Sequence, residues 1–490
     1  MGSIPIISRT YAPPNNPSIL VYHSVFITIL DREYSTGRYI GPLSQNEAES
    51  LIGPFQTAPL SLVPKPGKPG KFRLIQNLSF PHRPSATVSS INSSIDSDLY
   101  PCTWGTAATI CLLIWCLPPG SQAAVRDVAE AYRTIPLHPS QWPGLVVRTG
   151  PDSFAIDSSF CFGFSPAAGS YGDLADAGAD IFRSEGIGPL SKWVDDHFFI
   201  RILREHLDSY NSLRKARAAI IAKNGGLLTN GGRRWYRGSD MLDGHVEEFD
   251  EDSSFLIQDL SNSSPRSPED ALFTYCFADI DKLSKILGIP WEPAKDIFFS
   301  SRAPFIGFLW DLATRTVSIP ESKKKKYLAA IQEWEARSTH TLLEVQQLYG
   351  KLLHASLVLP AGRAYLVSLE SMLAIFNNHP YMPHHAPKST NGDLRWWKSH
   401  LAQPSISRSI PGPIEVTDPS AYSDASSGTG VAIWINGRWR AWILLPGWKG
   451  EDRDIGWAEA VGMELLITTL LTHCPEGTCF KVYIRKKVKY

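Results

Sequence analysis

Asp195 and Asp196 sit in the run Trp193-Val194-Asp195-Asp196-His197-Phe198-Phe199-Ile200, two adjacent carboxylates inside an otherwise apolar, strand-like stretch. Burying such a pair is costly unless a cation neutralises it. Hard oxygen ligands of this kind suit Mg²⁺. A tight hairpin that lifts two aspartates from an apolar base would present them to a pair of metal ions. The competing reading is a surface turn with two solvated acids. A third acid favours the metal. Asp127 closes the short apolar strand begun by Ala123-Ala124-Val125, and Tyr132 follows five residues later, where the chain is expected to turn into a helix before Pro136.

Between these acids lies Phe160-Cys161-Phe162-Gly163-Phe164-Ser165-Pro166, a turn of small and aromatic residues expected to lead into a helix from Tyr171 to Phe182. Upstream, the stretch from Val63 to Leu78 reads as a basic Gly/Pro turn between two strands. Lys65, Lys68, Lys71 and Arg73 within it, with Arg83 just beyond, face no acid between Glu49 and Asp96, which favours phosphate contact over a merely solvated loop. Lys323 to Lys326 form a second basic run, for which a solvated helix face competes evenly.

In order, the basic hairpin, the Asp strand, the Gly-Phe-Ser turn and the Asp-Asp hairpin resemble the fingers and palm motifs of reverse transcriptases from retroviruses and retrotransposons. Further on, Leu287-Gly288-Ile289 with Lys295-Asp296 looks like the lysine-bearing element after the palm hairpin, and the run Pro304 to Trp310 looks like the strand pair that grips a primer terminus. The resemblance implies an α+β right-hand polymerase fold of fingers, palm and thumb, with RNA-directed DNA polymerase activity. It implies two Mg²⁺ ions, for which Mn²⁺ can substitute, held by Asp127, Asp195 and the backbone carbonyl of Val128, with Asp196 as a helper close to the metals. It also implies a deoxynucleoside triphosphate bound by Arg73, by Lys65 (Lys68 competes, because the turn register is open) and by Lys295. Tyr132 would lie under the sugar and reject a 2′-hydroxyl, although an aromatic packed in the palm is the alternative. At Phe162-Gly163, backbone shape matters more than a side-chain hydrogen bond. The partners implied are an RNA or DNA template with its primer.

Five segments are expected. Residues 1–60 read as an N-terminal extension and 61–315 as fingers and palm, with a flexible polar insertion over about 225–268 whose acidic run Glu247 to Asp252 reads as a solvated loop. Helical periodicity over 316–378 indicates a thumb and connection, and the Pro/His-rich 379–413 a linker. Residues 414–490 begin another domain: a strand with Asp424, a hairpin turning at Asn436-Gly437, and a helix opening near Glu459. This resembles the start of a ribonuclease H domain. It is expected to be truncated, because Arg485 falls where the third acid belongs, and Asp424 and Glu459 alone would make a vestigial metal site.

At 490 residues, several domains are expected. Lys plus Arg total 48 and Asp plus Glu 48, so no global field draws nucleic acid in, and local clustering must do so. Seven scattered cysteines define no disulfide framework. His473, Cys474 and Cys479 lack a second pair to complete a zinc site. No signal-like leader is read, and the apolar run Ala107 to Leu117 is too short to span a bilayer. The expectation is a reduced intracellular setting, cytoplasm or nucleus, with no membrane. The chain enters its first motif abruptly, as a piece of a polyprotein would. Both LTR and DIRS-like retroelements fit; Pro64-Lys65-Pro66-Gly67 and Tyr422-Ser423-Asp424-Ala425-Ser426 lean to the latter. A decayed or domesticated copy that binds nucleic acid without catalysis is the main alternative. A viral RNA-dependent polymerase would carry a smaller or acidic residue near Tyr132 and no ribonuclease H start.

Overall fold

Two packing faces explain why the acid-bearing strands read as almost continuous apolar runs. β4 (Gln122–Asp127) and β8 (Asp196–Arg201) pair in an antiparallel sheet of order β12-β4-β8-β7, with β7 Leu190–Trp193 and β12 Ile297–Ser300. Phe198, Ile200, Ala123 and Val125 pack with Ile110 and Ile114 of the helix Ala107–Cys116. On the other face Phe199 and Leu190 pack with Ala179 and Phe182 of the helix Ala167–Ser184. This computed structural model is mixed α/β and describes residues 4, 6–65, 69–83, 88–101, 105–223, 227–228, 234–240, 246–251, 255–262, 265–376, 379, 381–410, 416–450, 453–473 and 479–484. It divides into two units, Met1–Ile410 and Pro411–Tyr490.

Residues 1–60, expected as an extension, are folded into the first unit. The helix His23–Ser35 buries Phe26, Leu30 and Glu33, and β1 (Tyr39–Leu43) is the edge of a sheet ordered β1-β6-β5, with β5 Val146–Gly150 and β6 Ser153–Asp157. The basic turn is the expected hairpin of β2 (Leu60–Pro64) and β3 (Phe72–Gln76). The polar insertion differs from expectation. Its described backbone forms a three-stranded antiparallel sheet of β9 (Leu227–Leu228), β10 (Arg234–Asp240) and β11 (Val246–Glu251). The register sets Arg234 opposite Glu251 and Arg237 opposite Glu248.

β13 (Arg302–Phe305) and β14 (Phe308–Asp311) form a hairpin whose turn residues, Ile306 and Gly307, both have positive φ, 45° and 82°. A two-residue turn of this hand matches the twist of the strands. The helix Leu342–Ser356 holds its tip: His354 Nε2 lies 3.1 Å from the Ile306 carbonyl, its ring stacks on Phe308 at 4.1 Å, and Nδ1 lies 2.8 Å from the Tyr327 hydroxyl. Tyr327, Ile331 and Trp334 of the helix Glu321–Glu335 share one core with Val345, Leu348 and Leu352. Residues 379–413 are more than a linker. They carry the helix Thr390–Leu401, with Leu394, Trp397 and Leu401 buried, and β16 (Ser407–Ser409), which pairs with β15 (Thr316–Ser318). Leu394, Trp397 and Leu401 have helical spacing, but Pro- and His-rich flanks obscure it; the Trp397 ring fits over Gly362, where a Cβ would come within 2.3 Å.

The second unit has a sheet of order β19-β18-β17-β20: β17 Val416–Ser426, β18 Gly430–Ile435, β19 Arg438–Ile443 and β20 Cys479–Ile484, the last parallel to β17. The helix Ile455–His473 is long and apolar enough to cross a membrane by length and composition. It packs on this sheet with Ala458, Gly462, Leu466 and Leu470 buried.

Candidate active site

The pairing of β4 with β8 sets Asp127 directly opposite Asp196. β7 and β8 are joined by Val194 and Asp195, and the Val128 amide donates to the Asp195 carbonyl at 3.0 Å, closing the turn onto β4. As a result the carboxylates of Asp127, Asp195 and Asp196 offer oxygens that all lie within 4.8 Å of one another. Val194 has φ 52°. A β-branched residue in the left-handed region costs on the order of 1–3 kcal/mol. Burial offsets that cost, since Val194 packs among Val128, Ala131, Tyr171 and Ala175.

Like charges crowd this corner. Burial, then the Asp127 charge, raises the pKa of Asp195. Burial, a hydrogen bond with Asp127 and the charges of Asp127 and Asp195 push Asp196 up to about 7. Further positive charge would relieve that crowding. Three carboxylates at this spacing could hold a divalent metal, and their hard oxygens suit Mg²⁺ or Mn²⁺. Lys295, expected against the nucleotide, lies in the acid corner itself, where its half-exposed ammonium pairs with Asp127. The bridge between Val128 and Trp291 runs through the flanking Ala129 amide and Asp127 carbonyl, so it does not consume the carbonyl of Val128.

Tyr132 stands on a short 3-10 turn, Ala131–Thr134, not on a full helix. Its ring lies 5.1 Å from that of Phe162 and 6.1 Å from that of Tyr171. Phe162 is half exposed, and Gly163 has φ 105°. A Cβ on Gly163 would come within 2.2 Å of the Gln76 carbonyl at the end of β3. The Gly-Phe-Ser turn thus comes close to the basic hairpin, backbone to backbone. Arg73 is on the exposed side of β3, and the Lys65 amide bonds the Lys71 carbonyl at 2.8 Å to close the hairpin. Lys68 lies outside the described residues.

Three contributors escaped the sequence reading. Tyr171 is buried beside the acids, and burial with the charges of Asp195 and Asp127 holds its hydroxyl well above the ordinary tyrosine range. Asn92 clamps the Gly-Phe-Ser turn, its amide donating to the Gly163 carbonyl at 2.8 Å and its oxygen accepting from the Ser165 amide at 3.1 Å. Arg126, buried next to Asp127, forks onto Asp296 at 2.9 and 3.1 Å and lies between the rings of Phe277 and Trp291. None of these carries a local signal beyond residue type.

In the second unit Asp424 lies exposed on β17 and Glu459 on the helix Ile455–His473. Among the described residues, Asp127, Asp195 and Asp196 are the one group of three or more acids, histidines or cysteines close enough to hold a metal. Arg485 and Cys474 lie outside the described residues.

No family model matches this chain, and no curated protein does. Among solved structures it is similar to three complexes of the foamy viral protease-reverse transcriptase. The one with an RNA/DNA hybrid is 13% identical at a TM-score of 0.49, covering 98% of this chain and 50% of that one. The dRH form with double-stranded DNA is 13% identical at 0.46, covering 100% and 73%. A further complex with double-stranded DNA is 12% identical at 0.48, covering 100% and 87%. The chain therefore spans half the length of the first of these.

Proposed function

We propose that this chain is an RNA-directed DNA polymerase of a retroelement, extending a primer 3′-hydroxyl on an RNA or DNA template from deoxynucleoside triphosphates. The observation that carries the reading is the three-carboxylate corner, built where a strand end meets a two-residue hairpin turn. Asp127 and Asp195, with the carbonyl of Val128, would hold two divalent cations, Mg²⁺ or Mn²⁺. Asp196 supports them from the opposing register position. Bound there, the metals supply charge for the oxygens of the attacking and leaving groups. The chain's own part is positioning. Tyr132 and Phe162-Gly163 wall the sugar and base, and Arg73 and Lys65 take the phosphates from the basic hairpin. Lys295 trades its contact with Asp127 for the incoming nucleotide. On this reading β12-β4-β8-β7 is the palm, the β2–β3 hairpin belongs to the fingers, and the helices after β15 form the thumb and connection. The second unit is a ribonuclease H-like fold whose described residues gather no three-acid cluster, and it is read as without hydrolytic activity. Primer extension on RNA and DNA templates with Mg²⁺ tests the proposal. Template-independent silence of the wild-type protein, or normal extension by Asp195→Asn, would sink it.

A further inference from the structure

Arg133 directly follows Tyr132 and points away from the acids into a buried cluster of charge. Its guanidinium donates to both carboxylate oxygens of Asp157, at 2.7 and 2.8 Å, and to Glu33 at 2.7 Å. It also donates to the backbone carbonyls of Phe160 at 3.1 Å and Ser159 at 3.4 Å. Asp157 in turn accepts from the Ser159 amide at 3.1 Å. Glu33 is further held by Arg38 at 3.2 Å, and Arg38 reaches Glu130 at 2.8 Å. Glu130 opens the Tyr132 turn with φ 50°, its carbonyl accepting from the Arg133 amide at 2.7 Å. Arg32, Arg38 and Arg133 thus balance Glu33, Glu130 and Asp157, charge for charge.

This side chain joins three segments distant in sequence. They are the turn bearing Tyr132, the strand and loop leading to Phe162-Gly163, and the N-terminal helix His23–Ser35. It adds a side-chain tie to the backbone pairing of the first two, where the Phe160 amide donates to the Ile135 carbonyl at 3.0 Å and Pro136 bridges Ser159. A forked, planar guanidinium fixes orientation as well as distance. We infer that Arg133, with Glu33 and Asp157, is a positioning clamp that sets the spacing between Tyr132 and the Phe162-Gly163 turn. It thereby governs selection of deoxyribose over ribose without touching substrate. The inference rests on the polymerase reading and makes the helix His23–Ser35, through Glu33, part of the specificity apparatus. Burial pushes Asp157 up to about 6, against the lowering charge and hydrogen bond of Arg133.

The test is single-nucleotide incorporation by the full chain on an RNA template with a DNA primer, using deoxy- and ribonucleoside triphosphates. Arg133→Lys keeps the charge but cannot fork. Its preference for the deoxynucleotide in kcat/KM should fall about tenfold, more through KM than kcat, because a displaced wall misplaces the sugar. Glu33→Gln should shift it the same way by less. In a Tyr132→Ala background, Arg133→Lys should change the preference no further, since the clamp acts through that ring. Unmoved selectivity in Glu33→Gln and Arg133→Lys, or an additive loss in the double variant, overturns the clamp while leaving the polymerase reading intact. If Arg133→Lys does not fold, Glu33→Gln and its double with Tyr132→Ala decide by the same criteria. A wild-type chain that extends no primer overturns the polymerase reading and the clamp together.

Discussion

Asp195 and Asp196 are neighbours in the chain but not in their place in the fold. Asp195 lies in the turn, held by the Val128 amide, whereas Asp196 begins β8 opposite Asp127. Asp127→Asn or Asp195→Asn keeps volume and removes charge, so primer extension should fall by about two orders of magnitude or more, while template-primer binding persists. Extension rates and fluorescence anisotropy of a labelled duplex, measured side by side, check both halves. Gly163→Ala is a different kind of loss. The added methyl meets the Gln76 carbonyl and the backbone keeps φ 105°. Both effects are steric, and together they should cost about 1–3 kcal/mol. Denaturant melts should show that loss alongside impaired extension. A fully stable, active Gly163→Ala protein would show that the turn can move off β3.

Hairpins and helices were legible where the periodicity is local. The helix expected from Tyr171 to Phe182, the β7–β8 hairpin and the Asn436-Gly437 turn each announce themselves within a dozen residues. The three aspartates stood out for the same reason, as charge within apolar strands. What stayed hidden depends on partners far along the chain. Arg126 meets Asp296 across 170 positions, and Asn92 meets Gly163 across 71. The helix Thr390–Leu401 looked like linker because its flanks are Pro- and His-rich, while its burial depends on Gly362 leaving room for Trp397. The contact between the β13–β14 tip and the helix Leu342–Ser356 can be tested by pH. Burial first, then Lys323, lowers the pKa of His354. The folded state therefore favours the neutral ring, and its stability is intact above the ordinary histidine value and declines as pH falls below it. Wild type should lose more melting temperature between about pH 7.5 and pH 5.5 than His354→Gln does. Equal losses would remove His354 from the account.

At the scale of the whole molecule, the two units make separable predictions. Asp424 and Glu459 stand without a third acid among the described residues, so incubation with an RNA–DNA hybrid and Mg²⁺ or Mn²⁺ should give no specific RNA cleavage. Cleavage abolished by Asp424→Asn would contradict this. A last consequence concerns salt. The chain is neutral overall, yet many of its arginines are spent inside: Arg126 on Asp296, Arg133 on Asp157 and Arg266 on Asp279, each with both partners at least nine-tenths buried. Electrolyte screens such pairs little, whereas contacts between exposed lysines and phosphate weaken steeply as counterions compete. Raising salt from about 50 mM to about 500 mM should therefore release a bound duplex while leaving the melting temperature nearly unchanged. Ionic strength becomes a dial that turns off the protein's grip without loosening its frame.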